Sequence, residues 1–103
     1  MNDNAITARY VYSFLLFDEE ENSNELITLE IGRMPIEGHL VRISGEEVHH
    51  LRLKVLGVSH NIHKKFHEYI GSVDCSKLFP CDIKAVRAIL VTLGAESQGW
   101  HSN

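Results

Sequence analysis

The sequence predicts a mostly β fold: a small curved antiparallel sheet of five to six strands, closed or nearly closed into a barrel, with a short C-terminal helix as the alternative reading of its last apolar segment. Two stretches carry this prediction. Residues 34–74, MPIEGHLVRISGEEVHHLRLKVLGVSHNIHKKFHEYIGSVD, read as three successive strands joined by two tight turns. In ELITLEIGR, Ile27, Leu29 and Ile31 alternate with Thr28 and Glu30, the pattern of a strand with one face buried. No repeat, low-complexity segment or linker divides the chain, so residues 1–103 are read as a single domain with flexible ends at 1–6 and 96–103.

Thr7 to Phe17, TARYVYSFLLF, is dense in aromatic and β-branched residues, which suit a pleated surface. Its two faces, Tyr10, Tyr12, Phe14, Leu16 and Val11, Ser13, Leu15, Phe17, both turn apolar, so this strand is either central and covered on both sides or presents one face as an interface. DEEENSNE, from Asp18 to Glu25, carries five carboxylates and no cation, which marks a solvated hairpin loop. Pro35 and Gly38 end the strand after it, because proline offers no donor to a ladder and glycine admits positive φ. LVRI follows as a strand and Ser44 to Glu47 as a turn. In the strand from Val48, Leu51, Leu53 and Val55 share one face, and the apolar set then passes to Leu56 and Val58. A change of face within a period-two strand requires a bulge or sharp bend, and Gly57 sits there. Asn61 to Lys65 is the next turn, with FHEYIGSV returning from it, and Pro80 holds Phe79 extended. From Ile83 two readings stay open. With Asp82 as an N-cap and Gly94 as a stop, Ile83, Val86, Leu90 and Leu93 have helical spacing; AILVTL alone reads as a closing strand, which is preferred for its β-branched core.

At 103 residues, 44% of them hydrophobic and 23% charged, the chain is long enough for one core and too short for two. Its net charge of −4 lacks the basic excess with which duplex-DNA binders displace counterions, so nucleic acid is not the favoured partner. No apolar run approaches the roughly 20 residues of a membrane span, and MNDNAITAR has no basic start followed by an apolar core. The expected location is therefore the cytoplasm, with no membrane partner. Cys75 and Cys81 are too few for a multi-bridge framework and are expected to be reduced. Their C-x5-C spacing falls outside the usual zinc pairing, leaving each as a small buried hydrophobe.

Pro35, Gly38, Val41, Ile43 and Gly45, followed by Val55, Val58, His60 and Ile62, resemble the proline–glycine turn, strand, glycine turn and long strand of small SH3-like β-barrels, including bacterial and phage proteins. The resemblance covers residues 34–62 only. His39 stands where such proteins often carry an acidic residue, and eleven residues, His49 and His50 among them, separate Gly45 from Gly57. Barrels of this kind mostly bind proteins or nucleic acid, so the resemblance implies a binding module by analogy of fold.

Seven histidines in 103 residues are an enrichment. His60, His63 and His67 surround one turn together with Asn61, Lys64 and Lys65, and on paired strands His60 and His67 face each other. H-x2-H-x3-H is no zinc signature, and only Glu68 offers an adjacent base, so no metal and no cofactor are expected. The six residues read as a recognition tip, more basic when the imidazoles protonate, against the plain reading of a solvated turn. No G-x-S-x-G, P-loop or G-x-G-x-x-G motif occurs, and no catalytic residue is assigned. Tyr10, Tyr12, Phe14 and Phe17 have the composition of a base-stacking platform, but with Arg9 as the strand's single cation they read as core. The expected function is a non-enzymatic binding module acting through protein–protein contact, a small inhibitor or adaptor of phage or mobile-element type. The alternatives are an oligonucleotide- or nucleotide-binding β-barrel and a metal-dependent enzyme using the histidines. The doubly apolar first strand adds the expectation of a homodimer.

Overall fold

The structure, a computed structural model, describes residues 7–19, 22–45 and 51–102, with side chains through residue 98. Six strands, β1 (Thr7–Asp18), β2 (Ser23–Ile31), β3 (Leu40–Ile43), β4 (Leu51–Ile62), β5 (Phe66–Val73) and β6 (Glu96–Ser102), form one sheet in the order β3-β4-β5-β1-β2-β6. A helix, α1 (Pro80–Thr92), lies between β5 and β6 in the chain. The fold is mostly β, but the sheet stays open instead of closing into a barrel. It is also not wholly antiparallel: β1 pairs with β5 in parallel, Tyr10 opposite Tyr69 and Phe14 opposite Val73. A helix laid on one face buries that face without the curling a barrel needs. Residues 1–6, and residues 46–50 with Glu46, Glu47 and the pair His49-His50, lie outside the described residues.

Strand alternation builds the core. Phe14 and Leu16 of β1, Ile27 of β2, Ile43 of β3, Leu53 and Val55 of β4 and Val73 of β5 share the face that closes over Val86 and Leu90 of α1. The bulge expected at Gly57 is present: the β4–β5 register shifts between Val55 and Gly57, and Leu56 is left exposed. Beyond it Val58, His60 and Ile62 take the helix-bearing face, opposite or beside Gly71, Tyr69 and His67. The connection from β2 to β3 crosses that face. The Gly38 N–H donates to the Val55 carbonyl at 2.8 Å, and the Val55 N–H to the His39 carbonyl at 2.9 Å. Buried Pro35 lies against Gly71, so closely that a Cβ there would stand 2.7 Å from the proline Cβ. The face is thus covered by α1 at one end and by residues 32–39 in the middle. The end carrying His60, Ile62 and His67 extends beyond both.

Residues 80–92 are helical, and the preferred closing strand does not form there. Pro80 occupies the first helical position, and Asp82 acts from the third, accepting the Phe79 N–H at 3.3 Å instead of capping the helix itself. At the other end Gly94 adopts φ 88, with the Gly94 N–H on the Val91 carbonyl and the Ala95 N–H on the Leu90 carbonyl, both at 3.0 Å. This is a Schellman stop. Burying Ala85, Val86 and Leu90 against the sheet outweighs the weak β preference of the branched residues. Leu93, placed on the buried face by spacing, is exposed. The closing strand is β6, in the segment read as a flexible tail, where it pairs antiparallel with β2. Among the described residues no helix is long and apolar enough to cross a membrane.

Candidate functional site

β4 runs to Ile62 and β5 begins at Phe66, so the turn is His63, Lys64 and Lys65, closed by the His63 N–H on the Phe66 carbonyl at 2.9 Å. The register sets His60 opposite Tyr69, Asn61 opposite Glu68 and Ile62 opposite His67. Alternation therefore divides the six predicted residues between two faces and the turn. On the helix-bearing face His60 Nε2 lies 2.9 Å from His67 Nδ1. The His60 ring stacks on Tyr69 with centroids 4.3 Å apart, and Tyr69 stacks on Tyr10 of β1 at 5.6 Å. On the opposite face, shared with Asn61, His63 stacks on Phe66 at 4.6 Å, and the Arg9 guanidinium lies 5.0 Å from the same ring. Lys64 and Lys65 are exposed and form no ion pair among the described residues, whereas Arg9 leans toward Glu30 at 3.8 Å.

His60 and His67 meet, and His63 does not join them. Among the described residues no group of three or more His, Cys, Asp or Glu is placed to hold a metal ion. Cys75 and Cys81 are both free thiols. Burial and the neighbouring Asp74 charge push the Cys75 thiol up to about 12, so it stays protonated and unreactive at neutral pH. Cys81 is exposed, which corrects the buried role expected of both; its place on the first turn of α1 points it away from the core. Tyr12 and Phe14 belong to the core or pack against it, and Tyr10 spends a ring face on Tyr69.

Sequence reasoning missed one buried charge. Glu25, grouped with the solvated acidic loop, has a side chain 1% exposed. It accepts Arg87 Nε at 2.6 Å and Nη2 at 3.2 Å, and the Ser97 hydroxyl at 2.7 Å. Burial pushes the Glu25 carboxyl up, but the hydrogen bonds from Arg87 and Ser97, with the Arg87 charge, hold it below its ordinary value. The signal was the parity of Glu25 with Ile27, Leu29 and Ile31 on one buried face. The pair stands in the wall of a cleft of about 400 Å³ between β1 and the start of α1, lined also by Leu16, Phe17, Pro80 and Ile83. A second cleft, of about 530 Å³, is lined by Leu15, Leu26, Leu56 and Leu78. Phe66 and Tyr69 join the tip through the β4–β5 hairpin, and Arg9 and Tyr10 join it unforeseen, because the parallel β1–β5 pairing that brings them there joins distant parts of the chain.

Comparison with protein-family models, with curated proteins and with solved structures finds no match to this chain.

Proposed function

We propose that this chain is a non-enzymatic, cytoplasmic binding module that meets an acidic face of a partner protein with the β4–β5 tip, as a small inhibitor or adaptor of phage or mobile-element type. One observation carries the reading. Lys64 and Lys65 stand exposed, without carboxylate partners among the described residues, at one end of a molecule 51 Å long whose net charge is −4. Thr7, which pairs with Phe66, marks that end of β1, and Asp18 and Glu19 lie at the other. Such a local reversal of sign steers encounter with an acidic surface. The stacks of His60 on Tyr69 and of His63 on Phe66 stiffen the strands behind the turn. The resemblance of residues 34–62 to SH3-like barrels, which mostly bind proteins or nucleic acid, points the same way. Exposed Leu15 and Leu56, which line one cleft, are where a homodimer would form, and light scattering across a dilution series reads it.

The test compares immobilised wild-type protein with Lys64→Glu/Lys65→Glu in nuclease-treated lysate of the native host. The expected result is an acidic protein retained by the wild type at low salt, released by high salt and absent from the double variant. Equal capture by both proteins overturns the tip as the contact surface. A wild-type-specific mobility shift of labelled single-stranded oligonucleotide would give the site to nucleic acid instead.

A further inference from the structure

We infer that His60 and His67 form a two-ligand site for a divalent transition metal of square-planar or octahedral preference, Cu2+ or Ni2+, its other positions open to water or to a donor from a partner. The inference stands on the pair's geometry and does not rest on the partner reading. The two ring nitrogens lie 2.9 Å apart on neighbouring strands, on the part of the sheet beyond α1 and residues 32–39. With metal–nitrogen bonds of about 2.0–2.1 Å, nitrogens at that separation subtend about 90° at the metal, whereas a tetrahedral ion needs them about 3.3–3.4 Å apart. The pair is therefore set for a right-angled edge and is too close for tetrahedral zinc.

The present contact is a hydrogen bond, with one proton between the two nitrogens. A metal takes the place of that proton, displaced off the nitrogen–nitrogen line, with the two ring nitrogens kept at their present separation. Tyr69 at 4.3 Å holds the His60 ring, and Tyr10 backs Tyr69, so little orientational freedom remains to be lost. The charges of Lys64 and Lys65 oppose a dication. Removing them should tighten metal binding while weakening the proposed protein contact.

Calorimetric titration of tag-free protein with CuCl2, NiCl2 and ZnCl2 tests the site. Loss of one ligand should lower Cu2+ affinity by more than tenfold in both His60→Ala and His67→Ala, since even the supporting partners of metal ligands cost about 10–100-fold when removed. His63→Ala should leave affinity unchanged, and Ni2+ should bind more tightly than Zn2+. Electron paramagnetic resonance of the Cu2+ complex should show two equatorial nitrogens. Both ligands lie at the surface, and circular dichroism checks the fold; a variant that melts early is replaced by His60→Gln or His67→Gln. Affinity unchanged in both histidine variants, tighter Zn2+ than Ni2+, or loss of Cu2+ binding in Lys64→Glu/Lys65→Glu would overturn the inference. A tighter Cu2+ site in that double variant, beside unchanged protein capture, would sink the partner reading and leave this one standing.

Discussion

Glu25 is a carboxylate that the fold removes from water, and its satisfaction is complete only while Arg87 and Ser97 are in place. Arg87→Ala removes two of the three hydrogen bonds to that carboxylate and opens it to the cleft, and we expect it to cost about 1–3 kcal/mol, the figure for a group that loses its hydrogen-bond partner. Glu25→Gln should cost less, about 1–2 kcal/mol, because the Arg87 side chain is 44% exposed and water screens it. Urea unfolding measures both. The acid limb carries a sign. The Glu25 carboxyl lies below 4.5 in the fold, so the unfolded chain takes up the proton first as pH falls. The stability it contributes is fully present above about 4.5 and is lost as pH falls from there through the folded value. In Arg87→Ala the main compensation is gone, so the acid limb attributable to Glu25 should flatten. A variant whose acid limb parallels the wild type would show that the ion pair does not set it.

Two glycines carry the argument for the elements. Gly94 stops α1 at φ 88, where a Cβ costs roughly 1–2 kcal/mol, so Gly94→Ala should lower the melting temperature without altering the tip. Gly71 lets the β2–β3 connection cross the sheet. Gly71→Ala would set its Cβ 2.7 Å from Pro35 and 3.1 Å from the Tyr12 ring, and overpacking of that kind costs about 1–3 kcal/mol. A fully stable Gly71→Ala protein would mean that residues 32–39 do not pack there. How far these elements were legible depended on how local their causes are. The β4–β5 hairpin, the Gly57 bulge and the alternation of β2 are written in neighbouring residues and are present, although β4 runs two residues into the turn expected from Asn61 and β2 begins inside the loop expected to reach Glu25. Residues 83–92 satisfy both helical spacing and β propensity, and only the sheet beneath Val86 and Leu90 decides between them. β6 is polar, and its order comes from backbone pairing with β2, for which side chains give no sign. The parallel β1–β5 ladder brings Tyr10 and Arg9 to the tip, a pairing that no local pattern encodes.

At the scale of the whole molecule, an exposed basic turn stands out against a net charge of −4. The basic turn of Lys64 and Lys65 closes one end, and the acidic residues Asp18 and Glu19 mark the far end of β1. Surface charges of this kind add little to the stability of the fold, so Lys64→Glu/Lys65→Glu should unfold within about 0.5 kcal/mol of the wild type. In the proposed function their effect is on encounter. The most direct measurement is the association rate of the captured acidic partner with wild-type and Lys64→Glu/Lys65→Glu protein, at low and at high salt. Reversing both charges should slow association at low salt by about tenfold or more, with the difference vanishing once salt screens the tip. Equal rates at low salt would contradict the account and leave the β4–β5 tip as a solvated turn.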